Sequence, residues 1–280
     1  MKPQLSVIIP VYNEAKYIPG CLESLNHQTL KPDEIIIVDD GSTDETLKIV
    51  NSLNSKNPAG QIENCKLKIV SQAHHGAGAA RNLGAQHATG EILVFVDADM
   101  EFSPEFIDRL SAPIRQGKAK GTFSKHEYVK NWHNPWAKAW NFCLSLKDNR
   151  LIPQNYPDTA PVFRAILKSE FDRAAGFDQT RGYDDDWTLS EKLGYQATVA
   201  SDAIYYHHNP DSPREIFRQA RWQASRKYKL GVLGQILALI KISFRIFLVR
   251  NLYQFIALNC YLAGLKIGFM QNLLRFKVSK

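Results

Sequence analysis

The sequence predicts an α/β fold with a mostly parallel central sheet and helices on both faces. Two observations carry this. Short apolar runs rich in Ile and Val recur through the first hundred residues, and each is followed by a stretch with helical periodicity. Strands that are apolar throughout, rather than alternating, belong to a sheet covered on both sides. Their alternation with helices makes neighbouring strands parallel.

Residues 5–10 (LSVIIP) are the first expected strand, and 15–26 the first helix. Residues 34–39 (EIIIVD) and 44–53 repeat the pattern, as do 67–71 and the Ala-rich stretch 77–88. Residues 92–96 (ILVFV) are a fourth strand. The second half is less regular. Residues 122–163, with Trp132, Trp136 and Trp140, are read as a strand plus a helical or loop excursion. Residues 167–174 and 184–193 are expected helices, and 197–200 and 203–206 short strands. Ser212, followed by Pro213 and Glu215, has the chemistry of a helix start.

The 280 residues carry a formal net charge of +7, unevenly distributed. Residues 216–280 hold 12 Lys+Arg and no Asp or Glu, so residues 1–215 are net −5. That division argues against a uniformly basic nucleic-acid-binding protein. With 44% hydrophobic and 22% charged residues the chain is neither disordered nor fibrous, nor an ordinary polytopic membrane protein. Four widely spaced cysteines without a C-x-x-C suit a reducing compartment. The N-terminal apolar run reads as a strand rather than a signal peptide, and a cytoplasmic location is expected. The domain expectation is an α/β region 1–215, divided into 1–100 and 101–215, followed by a basic, apolar helical region 216–280.

Sheets of this kind bind ligands at the carboxyl ends of their strands. There the sequence sets Tyr12-Asn13-Glu14, then Asp39-Asp40-Gly41-Ser42-Thr43-Asp44, then Asp97-Ala98-Asp99. Like charges gathered at one edge repel unless a cation or a donor-rich ligand occupies the site. The i, i+2 spacing of Asp97 and Asp99 lets two carboxylates reach one site, as a hard divalent cation requires, or a solvated turn. Gly76-Ala77-Gly78 before a helix suggests a phosphate cradle or close helix–sheet packing, and Arg81 is the unusual residue there. Asp184-Asp185-Asp186 beside Trp187 could hold a general base or be an acidic helix start. His207 and His208 are candidate metal ligands or solvated histidines.

In that order, these motifs together with Pro10-Val11 and Ala80-Arg81-Asn82-Leu83-Gly84 resemble the family 2 glycosyltransferases, over about residues 4–225. The resemblance implies a GT-A fold, a nucleotide-diphosphate sugar donor, Mn²⁺ or Mg²⁺, and inverting transfer to an acceptor glycan, glycolipid or lipid carrier. Pro10, Tyr12 and Glu14 would line the nucleoside pocket. Asp39 would contact base or ribose with Asp40 nearby, and Arg81 would help at the base. Asp97 would face the ribose, and Asp99 and His207 the metal. Asp186 would be the general base, with Asp185 the alternative. Gln219-Ala220-Arg221-Trp222 is one residue short of the Gln-x-x-Arg-Trp signature of processive members, which argues for single-sugar transfer. Arg221 is a candidate for the donor's phosphates. The Trp-rich segment 129–157 would shape the acceptor site. A nucleotidyltransferase and a non-catalytic sugar-nucleotide-binding protein stay open as alternatives.

Residues 230–274 are strongly apolar, with Lys241 and Arg245 on a narrow stripe. The uncharged run 251–265 would be about 22 Å long as a helix, short of the roughly 30 Å hydrocarbon core. Two amphipathic helices at the inner face of an anionic membrane are therefore expected, with domain packing or a homodimer as the alternatives.

Overall fold

The computed structural model describes residues 3–55, 65–179, 186–224, 228 and 230–278. Residues 1–127, 154–180 and 185–207 form one compact unit, and 128–153, 181–184 and 208–280 a second. The alternation expected for the first hundred residues is present: β1 (Leu5–Val11), α1 (Ile18–Asn26), β2 (Glu34–Asp39), α2 (Thr46–Ser55), β3 (Lys66–Ser71), α3 (Ala77–His87) and β4 (Ile92–Phe95). The chain continues through β5 (Met100–Phe102), α4 (Phe106–Arg115), β6 (Gly121–Phe123), β7 (Glu127–Val129) and α5 (Pro135–Leu144). Then come β8 (Thr159–Ala160), β9 (Ala165–Leu167), α6 (Lys168–Arg173), α7 (Thr188–Leu193), β10 (Ala197–Val199) and β11 (Tyr205–His207). The remaining helices are α8 (Pro213–Gln223), α9 (Gly231–Ser243) with a 3-10 turn at Phe244–Leu248, and α10 (Leu252–Val278).

The main sheet of the first unit runs β3-β2-β1-β4-β9-β6-β10-β8. It is mixed. The strands of the alternating segment pair in parallel, as do β6 and β10. β9 enters antiparallel to both β4 and β6, and β8 is antiparallel to β10. Both faces are buried, which is why the strands are apolar throughout. Val7, Ile9, Ile35, Ile37 and Val94 face one core, shared with α1 and α4. Ile8, Ile36, Val38, Leu93 and Phe95 face the other, shared with α3, α6 and α7. Gly84 lets α3 close onto β1, since a Cβ there would stand 2.5 Å from Ile8 Cγ2.

In the second unit, α5, α8 and α10 enclose a core that includes Trp140, Ala220, Ala224, Leu258, Tyr261 and Phe269. Gly264 and Gly268 bring α10 against α8: a Cβ on either would meet a backbone carbonyl of α8, that of Phe217 at 2.5 Å or of Arg221 at 2.6 Å. α10 runs 27 residues, well beyond the uncharged stretch, because Lys266 is carried on an exposed position without breaking the helix. α9 contains no buried residue. All four cysteines are free, and burial pushes the Cys65 and Cys143 thiols up to about 12, as for small hydrophobes.

At the amino edge of the sheet, Glu34 is 2% exposed. Its Oε1 accepts from the Ser6 hydroxyl at 2.7 Å, the Thr89 N–H at 2.6 Å and the Thr89 hydroxyl at 2.8 Å. Lys68 Nζ lies 2.6 Å from Oε2. Burial alone would raise the Glu34 pKa; these donors outweigh it and lower it from 4.5 to about 2. A depressed carboxyl stabilises the fold above its unfolded pKa and loses that contribution as pH falls through the folded one. Glu34→Gln is therefore expected to cost on the order of 2–3 kcal/mol at neutral pH, with the difference from wild type shrinking between about pH 4.5 and pH 2. Denaturant unfolding across that window measures it.

Candidate active site

Because β1 to β4 run parallel, their carboxyl ends share one edge of the sheet. β1 leads into Asn13, whose φ of +58° is a conformation Asn tolerates better than most residues. Its Oδ1 accepts from the N–H groups of Thr43 (2.8 Å) and Asp44 (3.2 Å), and its own N–H donates to Ser42 Oγ at 3.0 Å. One short side chain thus ties the loop after β1 to the loop after β2. Glu14 adds to the tie by donating its N–H to Thr46 Oγ1 at 2.8 Å. Pro10 is half-buried within β1, in register with Val38 of β2.

Asp39 and Asp40 leave β2 buried, 5% and 2% exposed. Asp39 Oδ1 accepts the Ser42 N–H at 3.2 Å. Asp40 turns to the loop between β3 and α3, where its carboxylate accepts the N–H groups of His75 and Gly76, each at 2.8 Å. It also accepts from Gln72 Nε2 at 2.7 Å and pairs with His74 Nδ1 at 2.8 Å. Asp40 thus takes the His75 and Gly76 N–H groups at the entry to the small-residue stretch that opens α3. The half-exposed Tyr12 stacks on His74, with ring centroids 4.0 Å apart and planes at 24°.

After β4 the chain makes a tight turn in which the Met100 N–H donates to the Asp97 carbonyl at 3.2 Å. This turn sends the two carboxylates to different partners. Asp97 faces two guanidiniums: Arg81 Nη2 lies 2.7 Å from Oδ1, and Arg164 Nη1 3.1 Å from Oδ2. Burial opposes its charge, but the two arginines outweigh burial and hold the carboxyl well below the usual range. Arg81 is itself 5% exposed, and its Nη1 contacts Asp186 Oδ1 at 2.7 Å. One planar fork therefore bridges Asp97 and Asp186. Asp185, Asp184 and Tyr183 lie outside the described residues.

Asp99 meets His207. The antiparallel register of β5 and β11 sets His207 opposite Met100, beside Asp99, and brings Nε2 to 2.9 Å from Asp99 Oδ2. The other ring nitrogen, Nδ1, is 2.9 Å from Glu127 Oε1. Burial disfavours the imidazolium, yet Asp99 and Glu127 outweigh it and raise the His207 pKa well above its ordinary value. Among the described residues no three His, Cys, Asp or Glu side chains converge as a complete metal cage. Arg221 is exposed on α8 of the second unit.

Four partners at this edge were not singled out from sequence. Sequence pattern alone gives no role to Asn13, His74, Glu127 or Arg164, each of which takes a partner here. His74 does lie three residues after the end of β3, and Arg164 directly precedes the apolar run of β9.

The sequence profile of glycosyl transferase family 2 matches residues 6–173, which contain every strand end described above up to Asp99, together with Arg81 and Arg164. The chain is 26% identical over 222 residues to the glycosyltransferase GlyG of Streptococcus pneumoniae, covering 74% of this chain and 71% of GlyG. It is 41% identical over 107 residues to the uncharacterised glycosyltransferase YibD of Escherichia coli, covering 38% of this chain and 29% of YibD. In several such curated relatives the matched part is about three-tenths of their length. The fold is that of Staphylococcus aureus TarS 1–349, solved with UDP-GlcNAc (TM-score 0.57, 24% identity, 79% of this chain and 65% of that one). It is equally that of the mannosyltransferase PcManGT from Pyrobaculum calidifontis, solved with GDP-Man and Mn²⁺ (TM-score 0.57, 22% identity, 96% of this chain and 73% of that one). Both are GT-A-like. With more than half of its length under the profile, the chain belongs to glycosyltransferase family 2.

Proposed function

We propose that the chain is an inverting, metal-dependent glycosyltransferase that moves one sugar from a nucleotide-diphosphate donor to an acceptor hydroxyl in cell-surface glycan or glycolipid synthesis. The observation that carries this reading is the Arg81 bridge, which holds Asp97 and Asp186 at 2.7 Å from one guanidinium. Family membership and the nucleotide sugars named with TarS and PcManGT support the donor class. In this reading Tyr12 lies beside the base, with Pro10 and Glu14 lining the nucleoside pocket. Asp39 contacts base or ribose, with Asp40 behind it as the brace of the β3–α3 loop, and Asp97 faces the ribose.

The donor set around Asp99 fits a divalent cation. An Asp oxygen and a His nitrogen are donors such a cation accepts, and at 2.9 Å they now share a proton that the ion would displace. His207 also has its remote nitrogen on a carboxylate, as metal-bound histidines do. Asp99 and His207 would hold Mn²⁺ or Mg²⁺, with further positions left to water and diphosphate oxygens; when bound, the ion supplies charge neutralisation for the departing diphosphate. Asp186 removes the acceptor hydroxyl's proton as that oxygen attacks the anomeric carbon from the face opposite the leaving group. A single displacement of this kind inverts the anomeric configuration. Arg81 keeps the base carboxylate aimed while it also holds Asp97. Transfer is assigned to residues 1–215, and residues 216–280 to the inner face of a cell membrane.

Asp186→Asn is expected to lower kcat at least about a hundredfold while donor Kd stays within about threefold. Isothermal titration with donor and a transfer assay read the two quantities. Full turnover in Asp186→Asn, with loss in Asp185→Asn, would move the base by one residue. Asp99→Ala is expected to abolish the Mn²⁺ dependence of donor binding, and equal donor affinity with and without Mn²⁺ in wild type would sink the metal assignment. Arg81→Lys keeps the charge but not the fork, so kcat is expected to fall at least about tenfold and donor KM to rise as Asp97 loses its clamp. Tight donor binding without hydrolysis or transfer in the wild-type protein would instead favour a binding module.

A further inference from the structure

A helix lying on a water-soluble unit buries its apolar stripe and turns polar residues outward. α9 and the 3-10 turn after it do the reverse. Their partly covered side carries Gln235, Ala238, Leu239, Ile242 and Arg245. Their outward side carries Leu233, Ile236, Leu237, Ile240, Phe244 and Phe247, each 48–81% exposed. A contiguous apolar face of this kind on the outside of a folded unit marks an interaction surface.

Both ends of the segment are fastened to the second unit. Just before α9, Tyr228 sits edge-on to Phe269 of α10, with ring centroids 5.5 Å apart. At the other end, Arg245 donates to the carbonyls of Phe142 (2.7 Å) and Cys143 (2.5 Å) and to the Ser145 hydroxyl. It thereby adds donors to the last turn of α5, where the Phe142 carbonyl also accepts the Ser145 N–H at 3.2 Å. Residues 231–248 rise about 27 Å as a helix, so a crossing segment would carry one end that far from its unit. This one lies along it, and the Arg245 charge is used inside the unit.

We infer that the outer face of α9 and its 3-10 turn is a monotopic docking face that sinks into one leaflet of an anionic bilayer without crossing it. The charge pattern selects lipid over a second copy of the chain. Residues 216–280 carry 12 basic and no acidic residues, so two such regions would repel, whereas anionic headgroups attract each basic side chain near the surface. The inference rests on the membrane location proposed above and not on the transfer reaction.

The test uses the full chain and vesicles of phosphatidylcholine with or without phosphatidylglycerol. Wild type is expected to float with vesicles containing phosphatidylglycerol and at least tenfold less with phosphatidylcholine alone. Ile236→Glu/Ile240→Glu/Phe247→Glu is expected to lose flotation at least a hundredfold. Its circular dichroism, thermal unfolding and donor hydrolysis should match wild type, since none of the three side chains is buried. Leu230→Cys and Arg250→Cys, in protein added from outside, should both react with a membrane-impermeant maleimide. Equal flotation of the triple variant, protection of one end from the maleimide, or a wild-type dimer that ignores vesicles would each overturn the inference. Flotation without donor turnover would sink the catalytic reading and leave this one standing.

Discussion

Several carboxylates reach one end of a buried sheet, and they stay folded there because guanidinium groups are interleaved with them. Arg81 is the centre of that arrangement: it is 5% exposed and touches Asp97 and Asp186 at once. Desolvating three charged groups is expensive, and attraction offsets the cost only when the geometry is close and the remaining lone pairs are satisfied. Arg164 supplies that satisfaction on the far oxygen of Asp97. Such a cluster adds little to net stability. It does favour the arrangement in which Asp97 and Asp186 both face Arg81.

The same economy governs the neighbouring loops, where side chains on strand ends serve backbone donors that would otherwise be unsatisfied. Asn13 spans from the first loop to the second, and Asp40 from the second to the third. Three loops from three strands are thereby cross-braced in sequence, and Tyr12 is set against His74 as a consequence. A surface assembled in this way is preorganised, so a ligand meeting it needs to order little.

The strands of the first hundred residues were legible because burial on both faces leaves a plain signature, an unbroken β-branched run. The entry of β9 between β4 and β6 in the opposite sense was not, since three residues carry too little pattern to encode direction. The Asp97-Ala98-Asp99 pair was legible as chemistry but not as geometry: the turn sends one carboxylate to arginines and the other to histidine. Glu127 and Arg164 were hidden because what they do depends on register across strands far apart in sequence. In the tail, breadth of apolar surface was visible, but not which helix faces inward. The clue lay in small residues four apart, Gly264 and Gly268 facing Ala220 and Ala224, which permit the close approach of α10 to α8.

That helix pairing has a temporal side. The second unit is discontinuous in sequence: α5 ends at Leu144 and its partner α10 begins only at Leu252. A ribosome adding about 5–20 residues per second needs on the order of ten seconds to cover that interval. Throughout it, Trp140, Ala139 and Cys143 have been made but lack the α10 side chains that will cover them. Until α10 has been made, the α5 side chains it covers present apolar surface to their surroundings, and docking of α10 closes that exposure.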